Sequence, residues 1–320
     1  MTFFTDLADF RKYCSVNTGF ELSLVENDFT NAFYRFVLPY LSQAQYDASK
    51  TNANALHVEL MRHVKSAIAN LGMMLYFPVL KVNITTAGIQ SGVPREKQLN
   101  QADKDDLFRH LQDTGFQAIE QMLLFLETNK ATFTPWAPVS TELNKVFLRN
   151  ATEFNNFLNI NSSRRFFLTM SWSIDNIEQN IIEPLLPDNL YSNLHTALAA
   201  NTLSAIHQKL LNGYVRPALA HLAMASSSFT LADTRMVGLG VCLLDADYVP
   251  KRNDPVYAAV PGSITYTRQS LQKKGDEILA AMTDFIEANA ADLGITLPTE
   301  DTLIDFPYIR NKPEWGTVIF

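Results

Sequence analysis

The residues able to do chemistry are few and scattered: six histidines, two cysteines and several loose groups of carboxylates. His57 and His63 lie six positions apart on one expected helix, which puts them on different faces and rules out a shared metal ion. His110, His195, His207 and His221 fall on separate elements and read as structural. Cys14 and Cys242 have no CxxC partner or Cys/His cluster beside them, which argues against structural zinc and a disulfide scaffold. Asp233, Asp245 and Asp247 could approach one another to hold calcium or act as acid and base. The glycine and closing glutamate of a calcium loop are missing, so a solvated loop is the better reading. Asp103, Asp105 and Asp106 open an expected helix, where the helix dipole favours negative charge. Arg164 and Arg165 follow Asn161-Ser162-Ser163 and could grip a carboxylate, but read as an exposed turn. The chain has no HExxH, P-loop, GxSxG or strand-linked GxGxxG. The expectation is a protein that is not an enzyme, with no catalytic residue, no metal ligand and no cofactor-binding residue.

The chemistry that does stand out is adhesive. From Leu303 to Phe320 the sequence is aromatic and β-branched, broken by Pro307 and Pro313, and so cannot form a helix and is costly to leave in water. Two readings stay open: an arm lying on its own domain, or one that docks on a neighbouring subunit by adding a strand and seating aromatic anchors. The expected partner-binding residues are Phe306, Tyr308, Ile309, Trp315, Val318, Ile319 and Phe320, with Tyr248 and Arg252 from the loop after a late strand.

The elements that must position these segments are mostly helices. Leu56, Leu60, Val64, Ile68, Leu71 and Leu75 form one apolar stripe, and Leu107, Leu111, Ile119, Met122 and Leu126 form another. Further helices are expected over about 24–38, 141–158, 166–183, 196–211, 214–226 and 264–290, with Pro184 and Pro217 at ends or first turns. Strand signals are confined to 80–85 and 235–241.

The chain of 320 residues is 47% hydrophobic and 18% charged, enough apolar material for a buried core. Its net charge of −7 argues against wrapping a phosphate backbone, although DNA could slide past an acidic channel. No basic region followed by an apolar run opens the sequence, and no stretch approaches a membrane span. The expectation is a protein without a membrane contact.

The sequence also repeats itself. Phe10, Tyr13, Val16 and Asn17 recur 144 residues on as Phe154, Phe157, Ile160 and Asn161. Pro39, Leu41 and Tyr46 recur 145 on as Pro184, Leu186 and Tyr191. The run Ala67–Met73 matches Ala218–Met224, and Gly88-Ile89 matches Gly238-Leu239. Gly115, Ile119, Met122, Phe125, Glu127 and Asn129 recur 160 on as Gly275, Leu279, Met282, Phe285, Glu287 and Asn289. Matched Pro, Gly and Asn positions are not a product of apolar periodicity. The fold expected is mainly α with minor β: two tandem-duplicated helical-bundle lobes, each with a short strand or hairpin, plus an extended C-terminal arm. The boundaries are 1–137 for the N-terminal lobe, 138–292 for the C-terminal lobe and 293–320 for the arm, with a Pro-rich junction at Thr134–Pro138.

With Ala67-Ile68-Ala69-Asn70-Leu71 leading through Pro78 to Val82-Asn83-Ile84-Thr85 and Gly88, Trp136 with Ser140, and Asn161-Ser162-Ser163-Arg164 before a helix, the chain resembles a protein family of Bacteroidetes phages and prophages. Proteins of that family look like head-tail connector, neck-adaptor or head-completion components. The resemblance implies a structural virion protein. It would assemble with itself as a homo-oligomeric ring, with twelve copies as one possible number, between the portal protein and a neck or tail protein. DNA would pass through the channel without sequence-specific binding. The implied location is the neck of the virion, after assembly in the cytoplasm of the host bacterium. No catalytic residue is carried over by the resemblance. Two other readings stay open: a soluble non-viral helical adaptor or binding module, and an enzyme with an unrecognised site.

Overall fold

A computed structural model describes residues 2–16, 18–78, 82–85, 88–91, 101–136, 146–187, 189–230, 234–237, 240–243 and 260–296; everything below concerns these. The protein is mainly helical and divides into two compact units, Met1–Thr141 and Glu142–Phe320.

The first unit opens with α1 (Leu7–Phe10), started by Asp6, whose carboxylate accepts from the Asp9 N–H at 2.8 Å. Next come α2 (Glu26–Ala32), a π turn (Phe33–Val37), α3 (Leu38–Leu41) and α4 (Gln43–Ser49). The long α5 (Ala55–Tyr76) is capped by Asn54, which accepts from the Leu56 N–H. Beyond it β1 (Val82–Thr85) and β2 (Gly88–Ser91) pair antiparallel with Ile84 opposite Ile89, and α6 (Gln101–Thr128) returns. Helices α5 and α6 run antiparallel: Gly115 lies on Leu71, the Phe77 ring is 6.4 Å from Phe108, and the His63 ring is 5.7 Å from Phe125. A Cβ at Gly115 would come within 2.5 Å of Leu71 Cγ, so glycine is what lets the two helices approach this closely. Leu60, Val64, Ile68, Leu71, Met122 and Leu126 are fully buried between them, along with Phe10, Phe29 and Phe33. Each such side chain contributes about 1.5–3 kcal/mol of burial.

The second unit runs through a parallel list of elements. After α7 (Ala151–Asn155) come α8 (Arg164–Ile177), a π turn (Glu178–Ile182), α9 (Glu183–Leu185) and α10 (Leu190–Ala199). Then follow α11 (Ala205–Leu210), a further π turn (Leu211–Val215) and α12 (Arg216–Thr230), which together form one continuous helix. Strands β3 (Thr234–Val237) and β4 (Gly240–Leu243) pair antiparallel, and α13 (Val260–Ala288) and α14 (Ala290–Leu293) follow. Gly275 on α13 lies against Leu222 of α12 as Gly115 lies against Leu71.

All three π turns end two residues before a proline: Pro39, Pro184 and Pro217. In each, the N–H of the residue before the proline reaches back five positions, from Leu38 to Phe33, from Glu183 to Glu178 and from Arg216 to Leu211. A proline ring clashes with the carbonyl four residues back and offers it no N–H. Widening the preceding turn moves that carbonyl away, so the helix runs on past Pro217 to Thr230, whereas it ends at Leu41 and Leu185, just beyond Pro39 and Pro184.

Four sequence expectations are corrected. In place of a helix over 141–158, only Ala151–Asn155 is helical among the described residues, because the Asn150 side chain accepts from the Glu153 N–H and starts the helix there. The helix expected over 196–211 is broken after Ala199, where Asn201 turns to a positive φ of 53° and Ser204 caps a new start. Pro217 sits inside the helix that begins at Ala205 and not at a new first turn. Leu107, placed on the buried stripe of α6, is 39% exposed, because the antiparallel register carries it to the level where α5 has ended at Tyr76.

Candidate functional site

The most concentrated chemistry lies in the second unit, around a buried carboxylate. Glu178 opens the π turn that leads to Pro184 and is 1% exposed. Its Oε2 accepts from the Phe147 N–H at 2.7 Å; its Oε1 accepts from the Tyr191 hydroxyl at 3.1 Å and lies within hydrogen-bond distance, 2.9 Å, of His195 Nε2. The His195 ring stacks on Phe147 with centroids 4.0 Å apart, and Tyr191 meets both rings edge-on. Burial, and then the Glu178 charge, push the Tyr191 hydroxyl above its ordinary range, which keeps it a donor. Arg216 completes the grip by donating from Nε to the Phe147 carbonyl at 3.0 Å. Phe147 is thus held at its N–H, its carbonyl and its ring. A carboxyl group this deep needs hydrogen-bond partners, and the Phe147 N–H, the Tyr191 hydroxyl and the His195 ring supply them.

A second group lies beside it. Glu153 accepts from the Arg149 N–H at 2.9 Å and pairs with the side chains of Arg149 at 3.3 Å and Arg216 at 3.8 Å. Burial lowers the Arg216 pKa; Glu153 works against that and Arg149 with it. In the first unit Asp9, 144 positions before Glu153, accepts from the Thr5 N–H and pairs with Lys65 at 2.7 Å and Lys12 at 3.4 Å. Burial raises the Asp9 pKa, but the bonds from Lys65 and Thr5 outweigh it and hold the carboxyl below its ordinary value.

The first unit has no counterpart to the Glu178 carboxylate. At the equivalent place, 145 positions earlier, stands Phe33, fully buried, its ring 4.6 Å from Tyr46 and 5.3 Å from Phe3. Its buried polar chain lies elsewhere: Gln45 Nε2 donates to Ser49 Oγ at 2.7 Å, and that oxygen lies 2.9 Å from His57 Nδ1, with Phe133 edge-on to the His57 ring. Trp136 Nε1 donates to the Tyr40 carbonyl and ties down the end of the unit.

The structure gives the other sequence candidates these places. His63 packs on Phe125 beside Glu59; burial, then Arg62, lower its pKa against the pull of Glu59. His221 Nδ1 bonds the Pro217 carbonyl, and His110 is exposed. Cys14 is a buried free thiol whose pKa burial pushes up to about 11. Arg164 and Arg165, read as an exposed turn, form the half-buried first turn of α8 behind the Ser163 cap. Asp233, Asp245, Asp247, Tyr248, Arg252, Phe306, Tyr308, Ile309, Trp315, Val318, Ile319 and Phe320 lie outside the described residues, as does nearly all of the arm at 293–320. Among the described residues no group of three His, Cys, Asp or Glu could hold a metal ion, and no helix is long and apolar enough to cross a membrane.

Sequence reasoning passed over Glu178, although a signal was present. A glutamate stands in an apolar helix at the repeat position where the first half has phenylalanine. What no spacing rule reveals is that Phe147, Tyr191 and His195 converge on it. The sequence also did not single out the large apolar side chains left in solvent: Trp172 at 65%, Leu24 at 58%, Val58 at 56% and Tyr34 at 54%.

A family model described as a family of unknown function, DUF6712, matches the chain in two regions, residues 26–142 and 182–294, well over half its length. Comparison with curated proteins and with solved structures gives no match.

Proposed function

We propose that this chain, which belongs to DUF6712, a family of unknown function, is a structural virion assembly protein: a ring-forming head-tail connector, or neck adaptor, between portal and tail. The observation that carries the reading is the doubly built helical body. Two units follow one order of elements, and in both the buried carboxylates and rings fasten helices to one another. Asp9 and Glu153 each tie the first short helix of a unit to its long helix, and Gly115 and Gly275 each seat a leucine from the facing helix. Large apolar side chains stand exposed in both units, Leu24, Tyr34 and Val58 in the first and Trp172 in the second. That is what a subunit needs to pack against copies of itself.

On the same reading the units are tandem-duplicated lobes, each with a short hairpin, and the segment from 293 onward is an arm. Phe306, Tyr308, Ile309, Trp315, Val318, Ile319 and Phe320, with Tyr248 and Arg252, meet the neighbouring subunit or the portal and tail proteins. DNA passes through the ring without sequence-specific contacts, in keeping with a net charge of −7. The protein resides in the virion neck after assembly in the host cytoplasm.

The test is electron microscopy with negative stain, and mass measurement under native conditions, on the full chain and on a chain lacking residues 301–320. Closed rings from the full chain, and smaller species from the shortened one, are expected. A full chain that stays monomeric at high concentration would overturn the ring. Unchanged rings after the deletion would remove the arm from the assembly contact.

A further inference from the structure

Each unit has a short strap that lays two apolar side chains into the core just ahead of the first helix. In the second unit this is Phe147-Leu148-Arg149-Asn150: Phe147 and Leu148 are fully buried, the Arg149 N–H donates to Glu153, and Asn150 caps α7. In the first unit, 144 positions earlier, it is Phe3-Phe4-Thr5-Asp6: Phe3 and Phe4 are buried, the Thr5 N–H donates to Asp9, and Asp6 caps α1. The tips of the two straps are held differently. Glu178 and Arg216 bond the N–H and the carbonyl of Phe147. Phe3 lies against the rings of Phe33 at 5.3 Å and Tyr46 at 6.4 Å, and Phe4 packs on Phe10 and Phe29 with Lys65 over its face. Among the described residues no hydrogen bond reaches the backbone of Phe3 or Phe4. Lifting this tip out of its groove therefore breaks apolar contacts, which another apolar pair of similar shape can restore.

A third strap stands in the sequence. Tyr308-Ile309-Arg310-Asn311 repeats Phe147-Leu148-Arg149-Asn150, 161 positions on. The match runs further. A carboxylate stands six positions after the first aromatic residue in all three, as Asp9, Glu153 and Glu314, and an aromatic residue follows it each time, as Phe10, Phe154 and Trp315. Apolar periodicity does not set a capping residue and an acidic residue at fixed steps, so the recurrence is that of a repeated element. Residues 308–315 lie outside the described ones, and the likeness is one of sequence.

We propose that Tyr308–Trp315 of one copy takes the place of Phe3–Phe10 in the first unit of a second copy. Tyr308 and Ile309 enter where Phe3 and Phe4 lie, and Glu314 replaces Asp9, which pairs with Lys65 at 2.7 Å. Exchanging like elements between copies regains most of the contacts it breaks. The first unit is the acceptor because its strap tip is the one without hydrogen bonds. Donor segment and groove are different parts of the chain, so each copy gives one and receives one, which is the head-to-tail contact of a ring. The inference rests on the ring-forming reading above and names the contact between its subunits.

The experiment mixes full chain carrying the photoreactive residue p-benzoylphenylalanine in place of Tyr308 with isotope-labelled full chain, irradiates the mixture and maps the cross-links by mass spectrometry. Cross-links to Phe33 or Tyr46 of the labelled copy are expected. Cross-links that stay within one copy, or that reach the labelled copy elsewhere, would overturn the exchange. Sedimentation velocity is expected to show association weakened about tenfold or more by Tyr308→Ala/Ile309→Ala. Phe3→Ala/Phe4→Ala removes the competing strap tip and is expected to strengthen association several-fold, with circular dichroism verifying that each variant is folded. Association that is no stronger in this folded variant would overturn the competition between the two segments. Association unmoved by Tyr308→Ala/Ile309→Ala would overturn this contact while leaving the ring to be built elsewhere. A full chain that does not associate at all would overturn the ring and this contact together.

Discussion

Phe33 and Glu178 open the same π turn in their two units, five residues ahead of a leucine or glutamate that precedes a proline, but the two side chains are opposite in character. In the first unit the turn is sealed by rings: Phe3, Phe33 and Tyr46 pack on one another, with Lys50 lying 5.7 Å over Tyr46. In the second, Phe147 and Tyr191 keep their places, but the central ring has become a carboxylate and His195 stands at the place of Lys50. The exchange runs the other way nearby. Gln45 and Ser49 form a buried polar chain in the first unit, and their equivalents Leu190 and Leu194 are buried apolar residues in the second. One scaffold thus tolerates either a dry or a charged centre, provided each buried polar group arrives with its partners. The backbone geometry follows from what the sites share, the prolines and glycines, and not from what fills them.

That comparison can be broken most severely by moving the charge without its donors. Phe33→Glu buries a carboxylate beside rings alone and is expected to cost about 4 kcal/mol in the first unit, read by chemical denaturation and by hydrogen exchange confined to residues 2–78. Glu178→Ala strands the Phe147 N–H, Tyr191 and His195 and is expected to cost about 3 kcal/mol, with faster exchange first at 146–150. If Glu178→Ala were neutral, the carboxylate would not be what holds Phe147.

The shared features give smaller effects that sharpen the likeness. Gly115→Ala and Gly275→Ala each push a methyl into a facing leucine and are expected to cost about 2 kcal/mol by the same denaturation assay. Gly115 should be the more sensitive, because the backbone nitrogen of Leu71 also lies 3.3 Å from the added atom while Gly275 meets only a side chain. Asp9→Asn is expected to cost about 1 kcal/mol near neutral pH, and more than Glu153→Gln, since Lys65 approaches at 2.7 Å and Arg216 only at 3.8 Å. The Asp9 carboxyl is held below its unfolded value of 3.8. Its contribution is therefore present above that pH and lost as acid takes the pH down through the folded value. Thermal melts from pH 6 to pH 3 should fall less steeply for Asp9→Asn than for the wild type.

Much of the helical skeleton is legible in residue order. The stripe from Leu60 to Leu71 predicts residues that α5 buries, and Leu111 to Leu126 residues that α6 buries, but α5 is buried on every side from Ala67 to Met74, which one-sided spacing does not show. Leu107 escapes that rule, since burial also requires a neighbour at the same height. Residue order also pairs Gly115 with Gly275 and Leu71 with Leu222, and those are the residues that touch within each unit. The break at Asn201 and the start at Asn150 turn on single caps that apolar spacing does not register.

By itself, then, the sequence determined the mainly helical class, the matched positions of its two parts and the prolines that widen three turns, all of which depend on spacing along the chain. Only the tertiary structure decided that Glu178, lost in an apolar run, meets Phe147 from 31 residues before it and His195 from 17 after it. It alone also decided that Trp172 faces water. Periodicity states which side of a helix is apolar; whether a neighbour covers that side, or brings the donors a charge requires, depends on packing between residues far apart in the chain.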